Sequence, residues 1–179
     1  MDKEGICEKA MIYFTSDMHF GHRNIIKLCQ RPFSSAEEMN NCMIQDWNKT
    51  IKNNDEVYIL GDIAWGDADD YLKQLKGKKY LVRGNHDKIK ESDYLYWIKD
   101  YHEIKYNGIR FVLCHYPIEE WNGYFRGSVH LHGHQHNHSD YNRKQEKLRY
   151  DVGVDANDFR PVSINKIIEW SNKHESKNR

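Results

Sequence analysis

The sequence predicts a single α/β domain whose sheet is parallel in its first half and gains antiparallel strands later. Three observations carry this reading. Short apolar runs alternate with helical patterns from Met11 to Val82, the layout of strands joined by crossover helices. Asn107-Gly108 separates two further strand-like runs, and that dipeptide is the strongest short-range hairpin signal. A length of 179 residues suits one domain with one good core, and no linker, low-complexity tract or repeat divides it.

The elements follow in order. Met11 to Ser16 reads as a buried strand, with Asp17 to Gly21 the loop at its C-terminal end. Asn24 to Cys29 forms the first turns of a helix that Pro32 stops, since proline has no N–H to offer. Ser34 or Ser35 caps a longer helix through Asn48, with Met39, Cys42, Met43 and Trp47 on one apolar face. Glu56 to Leu60 is a strand leaving through Gly61-Asp62. Ala68 to Leu75 is helical, with Gly77 its stop. Lys79 to Val82 is a strand leading into Gly84-Asn85-His86-Asp87. Asp93 to Lys99 reads as a helix, and Tyr101 to Tyr106 with Ile109 to Cys114 as the hairpin. Val129 to His132 and Arg149 to Val154 complete the strands. Ser163 caps a terminal helix built on Ile164, Ile167, Ile168 and Trp170. The polar tails, 1–9 and 174–179, are expected to fray.

Composition narrows the classes. No stretch approaches the ~20 consecutive apolar residues of a membrane span, and Met1 to Ala10 is too charged for a signal peptide. The expected compartment is the cytoplasm. Cys7, Cys29, Cys42 and Cys114 form no C-x-x-C pair, so free thiols are expected, with Cys114 a small core residue. Lysine plus arginine equals aspartate plus glutamate at 27 each. A nucleic-acid or nucleotide substrate is therefore permitted but not indicated by charge, and the oligomeric state stays open. The unusual count is histidine, at 11, which directs attention to metal ligands.

Polar residues fall where chemistry is built. Asp17-x-His19, Gly61-Asp62, Asn85-His86-Asp87, His115 and His134-x-His136 each follow an expected strand. In open α/β sheets, ligands gather at the carboxyl ends of strands, where loops converge. Residues two apart in an extended segment face one side, so Asp17 with His19, or His134 with His136, can reach a common centre. Carboxylate, imidazole and an asparagine carbonyl suit manganese, iron or zinc better than calcium or magnesium. Seven ligands exceed the need of one tetrahedral ion, so two ions sharing a carboxylate is the economical arrangement.

The ordered blocks D-x-H, G-D, G-N-H-D, a lone histidine after a strand and G-H-x-H, spanning Asp17 to His136, resemble the calcineurin-like metallophosphoesterase family. The wider context, Thr15-Ser16-Asp17-Met18-His19-Phe20-Gly21-His22 and Val152-Gly153-Val154-Asp155-Ala156-Asn157, is similar to a compact single-domain bacterial-type subgroup. The resemblance implies a two-sheet α/β sandwich flanked by helices. It implies a first metal on Asp17, His19 and His136, a second on Asn85, His115 and His134, and Asp62 as the bridge. It also implies hydrolysis of a phosphoester by a bridging hydroxide, with His86 protonating the leaving group. Asp87 would then be the partner fixing the His86 tautomer. An open cleft favours diesters slightly over monoesters.

Other readings compete. Single aspartates after strands are commonly turn residues, and Asn85 could be one; only the ordered set weighs against that. His102, His130 and His174 are assigned to structure or surface, and His132 and His138 to positions behind the ligands or in solvent. His22 either meets a phosphate oxygen or caps the helix near Asn24. Trp65, Trp121, Tyr124 and Phe125 could wall a substrate cleft, though loop aromatics more often pin loops to the core. Tyr141 to Arg149 reads as a solvated hairpin face. Two non-enzymatic classes stand beside the hydrolase: a protein-binding scaffold that keeps the fold, and a mononuclear metal-binding protein, separable by one ion per chain instead of two.

Overall fold

Side chains alternate across a strand, so a sheet buried on both sides sends neighbours into different cores. In the computed structural model, which describes residues 10–177, strands β1 (Ile12–Thr15), β2 (Glu56–Ile59), β3 (Lys78–Val82) and β4 (Ile98–Lys99) pair in parallel. Strand β9 (Val162–Ser163) adds antiparallel to β1, giving the order β4-β3-β2-β1-β9. A second sheet has the order β5-β6-β7-β8, from β5 (His102–Tyr106), β6 (Ile109–Leu113), β7 (Val129–His132) and β8 (Arg149–Asp151). Its first pair is antiparallel and the others parallel.

Alternation then sorts the cores. Val57, Ile59 and Leu81 face the helices, packing with Met39, Met43 and Trp47 of α2 (Ala36–Thr50) and Leu72 of α3 (Asp69–Leu72). Their neighbours Phe14, Tyr58, Leu60 and Val82 face the second sheet and meet Phe111, Leu113, Val129, Leu131 and Tyr150. Ile164 and Ile167 of α5 (Ile164–Lys177) join that layer. Each fully buried aliphatic contributes roughly 1.5–3 kcal/mol of transfer free energy. The fold is a two-sheet α/β sandwich flanked by helices.

Local signals act mostly as expected. The Ser35 hydroxyl accepts from the Glu38 amide at 3.1 Å, and the Glu38 carboxylate accepts from the Ser34 amide at 2.7 Å, a reciprocal cap at the start of α2. Asn107 and Gly108 both take positive φ, 48° and 79°, as a two-residue hairpin with strand-matched twist requires. Cys29, Cys42 and Cys114 are free; Cys7 lies outside the described residues. Among the described residues, no helix is long and apolar enough to cross a membrane.

Four expectations need correction. Asp93 to Lys99 is no helix: Ile98 and Lys99 pair with Leu81 and Val82 as β4, because aromatic-rich, open sheet edge outcompetes a weak helical pattern. The Ala68 to Leu75 helix shortens to Asp69–Leu72. Tyr141 to Arg149 is not a hairpin face but a short helix, α4 (Tyr141–Lys144), followed by a loop into β8. Residues 174–177 continue α5 instead of fraying, since His174 is buried and stacks on Trp170 at 5.0 Å.

Buried histidines make the second sheet pH-sensitive. His130 is fully buried, with Nδ1 at 3.0 Å from the Val112 carbonyl and Nε2 accepting from the Ile118 amide at 3.1 Å. Burial pulls it down to about 4, although the Val112 and Tyr116 carbonyls favour the charged ring. The unfolded chain therefore binds a proton below about 6.5 that the native state refuses, and stability falls as pH drops from 6.5 towards 4. His130→Gln, which keeps a donor and an acceptor, should lose on the order of 2–3 kcal/mol less than the wild type over that window. Urea unfolding at pH 7 and pH 4.5 checks it; identical pH dependence in both proteins would refute the assignment.

Candidate metal centre

The β1–β2 pairing continues beyond the strands. The Leu60 amide donates to the Thr15 carbonyl at 2.8 Å, Asp17 to Gly61 at 3.0 Å, His19 to Asp62 at 3.0 Å and Phe20 to Ile63 at 2.9 Å. Two loops thus leave the sheet zipped together, carrying Asp17, His19 and Asp62 side by side. In the second sheet, the Cys114 amide donates to Leu131 at 3.2 Å and Gly133 to His115 at 2.9 Å, which aligns His115 with His134. The two sheet ends are joined where Val154 donates to the Ser16 carbonyl at 3.0 Å.

This construction brings the seven expected ligands to one rim. Asp17, His19 and His136 offer donor atoms all within 4.8 Å of one another. Asn85 Oδ1 lies 2.9 Å from both His115 Nε2 and His134 Nδ1. Asp62 Oδ2 stands between the two groups, 3.5 Å from His19 Nε2 and 3.6 Å from His115 Nε2. Ligands ~2.1 Å from a cation sit about 3.0–3.5 Å apart when adjacent, and these separations fit. Both ring nitrogens of His19 are buried without a hydrogen-bond partner, and burial pulls its pKa down to about 2, leaving a neutral ring with a free electron pair. The residues fit divalent-cation binding.

Backbone strain is concentrated here. Among the described residues, nine other than glycine take positive φ, and five of them are Asp17, His19, Asp62, His134 and His136. Such conformations cost about 1–2 kcal/mol each and persist where surrounding contacts over-determine them. Two glycines make room for the carboxylates. A Cβ on Gly84 would stand 2.3 Å from Asp62 Oδ1, and one on Gly133 would stand 2.2 Å from Asp17 Oδ2 and 2.1 Å from Ser16 Oγ.

Two supports were missed by the sequence reading. Arg31, almost fully buried, grips Asp155 through Nε and Nη2 at 2.8 Å each, and donates to the Asp17 and Met18 carbonyls at 2.7 and 2.9 Å. Asp155 in turn accepts from His136 Nδ1 at 2.8 Å, which fixes the orientation of the ring. Asp155 was findable, because it follows β8 as the other ligands follow their strands; nothing in the sequence around Arg31 marks it. Burial holds Asp17 up at about 8. For His136, burial pulls down, but hydrogen bonds to Asp155 and Cys29 and the Asp17 carboxylate outweigh it and hold the ring up at about 10.

The remaining polar residues sort themselves. Asp87 does not orient His86. Its carboxylate accepts from the Asp62 and Gly84 amides at 2.8 Å and the Ile63 amide at 3.0 Å, so it clamps one ligand loop to another. The His86 ring is exposed, 5.5 Å from that of His19, while its amide donates to Asp62 Oδ1 at 2.9 Å. His22 precedes α1 (Arg23–Leu28) without capping it by its side chain, and stacks on Trp65 at 4.4 Å and 12°. His132 is buried with Nδ1 on the Gly133 carbonyl, and His138 is exposed. Trp121 is buried and donates to the Ser128 carbonyl at 3.2 Å, pinning its loop, with Tyr124 edge-on against it. Phe125 points outward, while Trp65 stands beside the cluster near His86 and Tyr116 packs edge-on against His115 and His134.

Residues 10–156 match the family model for calcineurin-like phosphoesterases. The chain belongs to this family. An uncharacterized protein of Methanocaldococcus jannaschii is 38% identical over 172 residues, covering 90% of this chain and 92% of that protein. The gene 66 protein of Mycobacterium phage L5 is 26% identical, covering 80% of this chain and 86% of its own. A crystal structure of a protein of unknown function from Aquifex aeolicus superposes with a TM-score of 0.74 at 33% identity, covering 89% of this chain and 98% of that one. As a calcineurin-like phosphoesterase, the chain comes from a metal-dependent family whose substrates are phosphoesters, and it carries candidate metal-ligand clusters.

The clamp formed by Asp87 has a distinct consequence. Asp87→Ala should destabilise the fold by about 2–4 kcal/mol, from three charge-assisted hydrogen bonds lost together, and should lower metal content. Normal metal content with only a slowed rate would instead return Asp87 to a role beside His86. Chemical denaturation and elemental analysis decide between them.

Proposed function

We propose that this chain hydrolyses phosphoesters at a dinuclear centre, with diesters favoured slightly over monoesters. The observation that carries the reading is a crowd of electron-pair donors facing one another. His115 Nδ1 lies 2.7 Å from the Leu60 carbonyl and donates to it, so its Nε2 presents a lone pair towards Asn85 Oδ1 and Asp62 Oδ2. His19 Nε2 presents another to Asp62 from the opposite side. Acceptors packed against acceptors repel unless a cation lies among them. Asp17, His19 and His136 would hold one ion, Asn85, His115 and His134 the second, and Asp62 would touch both.

Nitrogen-rich ligation without a thiolate favours manganese, iron or zinc. Two such cations, when bound, supply a strongly acidified water and draw charge from the phosphoryl oxygens. The protein does the rest. The zipped loops and the Arg31–Asp155 pair hold the ligands in place before substrate arrives. His86, exposed and bound only through its backbone, is free to swing its ring to the leaving oxygen and give it a proton. The openness of the rim, where Asn85, His86 and His134 are all exposed, supports an extended diester over a small sequestered monoester. Its location in the cytoplasm is part of the same proposal.

Chelator-treated protein should be inactive and recover with manganese or a similar ion, binding about two ions per chain. Asp62→Asn should be the most damaging ligand change, with loss of roughly 10²-fold or more in rate and at least one ion. Elemental analysis with single-turnover assays tests this; full activity in metal-free protein would end the proposal.

His86→Ala should lower the rate roughly 10²–10⁴-fold while metal content stays near two ions. The defect should be larger for alkyl or nucleoside esters than for nitrophenyl esters, because nitrophenolate leaves without needing a proton. Equal defects on both would remove the general-acid role, and loss of metal would make His86 a ligand.

A further inference from the structure

A cavity of about 520 Å³ opens beside Asn85 and His86, lined also by Trp65, Asp67, Lys88 and Ile89. It lies on the His86 side of the metal cluster. If His86 protonates the leaving oxygen, whatever that oxygen carries must occupy this space. The inference rests on the phosphohydrolase reading in that respect.

The wall of the cavity has an unusual member. Trp65 is 57% exposed, although exposing an indole forgoes much burial free energy. It is nevertheless fixed. Its amide donates to the Phe20 carbonyl at 2.8 Å, and one ring face is covered by His22 at 4.4 Å in near-parallel stacking. With that face covered, more than half of the residue stays exposed, and the His86 ring stands 5.9 Å away, tilted by 52°. Gly66 follows at φ 115° and lines the same cavity as Trp65, so no side chain from the next residue enters that space. The lining sets Asp67 and Asp87 against Lys88, so it carries no excess of positive charge, which selects a neutral arm over one bearing further phosphates.

We propose that this cavity is the leaving-group subsite and that it takes a planar aromatic arm, the base of a nucleoside, stacked on Trp65. The substrate is then a nucleoside phosphodiester. Hydrolysis breaks the bond between phosphorus and the nucleoside oxygen. Water supplies the new oxygen on phosphorus, and the nucleoside oxygen takes a proton from His86, which the water's proton later replaces. Trp65 acts as a specificity residue, and His22 as the group that holds it flat.

The test uses the full metal-loaded chain and two methyl phosphodiesters, one of a nucleoside and one of its abasic tetrahydrofuran counterpart. The leaving oxygens are chemically alike, so the ratio of their kcat/KM values isolates the base. Wild type should prefer the nucleoside ester by roughly 5–150-fold, the range base–aromatic stacking supports. Trp65→Ala should bring the ratio close to one, with the change mainly in KM, and Trp65→Leu, which keeps apolar bulk without a π face, should do nearly the same. A wild-type ratio near one, or an unchanged ratio in folded variants, overturns the inference while the hydrolase reading stands. If neither diester is hydrolysed with any metal, the hydrolase reading fails first. Titration calorimetry of the free nucleoside into wild type and Trp65→Leu then decides the cavity: Trp65-dependent binding supports the subsite, and its absence overturns it.

Discussion

Asp17 and Asp62 sit side by side because the hydrogen bonds between β1 and β2 run on for four more residues after the strands end. Parallel strands deliver their loops to the same edge of a sheet, but they do not by themselves align those loops. Here the amides of Asp17, His19 and Phe20 each find a carbonyl on the neighbouring loop, so the register of the sheet becomes the register of the ligands. The second sheet repeats the device with His115 and Gly133. Asp17, His19, Asp62 and His115 thus inherit their alignment from strand pairing.

That precision requires unfavourable backbone. Five candidate ligand residues hold left-handed φ angles, and the compensation is traceable. Arg31 ties the carbonyls of Asp17 and Met18 to Asp155, and Asp87 ties the amides of Asp62, Ile63 and Gly84 together. Both are charged groups spent on backbone, a use that buried charge rarely has unless it is fully hydrogen-bonded. Glycine at 84 and 133 completes the arrangement, since any side chain there would overlap a ligand carboxylate.

The sequence made the ligand rim legible and its supports much less so. Ligands announced themselves because each polar residue interrupts an apolar run at the end of a strand, a pattern that needs no partner to be seen. Asp155 obeys the same rule after β8, and Arg31 obeys none, because its role exists only once residues 124 positions apart meet. Asp87 was noticed for its place beside His86, yet sequence neighbours on a turn point in different directions, and its carboxylate faces the Asp62 loop. The core strands β1, β2 and β3 are legible as short apolar runs that end in polar loops, and the hairpin is legible from Asn107-Gly108. The edge strands β4 and β9, two residues each, were not, since pairing with an existing sheet edge, and no intrinsic pattern, makes them strands.

The histidines show why composition alone assigns no role. His115 and His130 both turn Nδ1 to a backbone carbonyl, those of Leu60 and Val112. The difference lies at the other nitrogen. For His130, Nε2 meets the Ile118 amide, a donor, at 3.1 Å, with the Tyr116 carbonyl at the same distance, and burial keeps the ring neutral as a structural element. For His115, Nε2 meets the Asn85 carbonyl oxygen and lies near an Asp62 carboxylate, both acceptors, which is the setting of a candidate metal ligand. One imidazole and one backbone anchor thus give either a core residue or a candidate metal ligand. What decides between them is whether the fold supplies a donor or a further acceptor to the nitrogen left over.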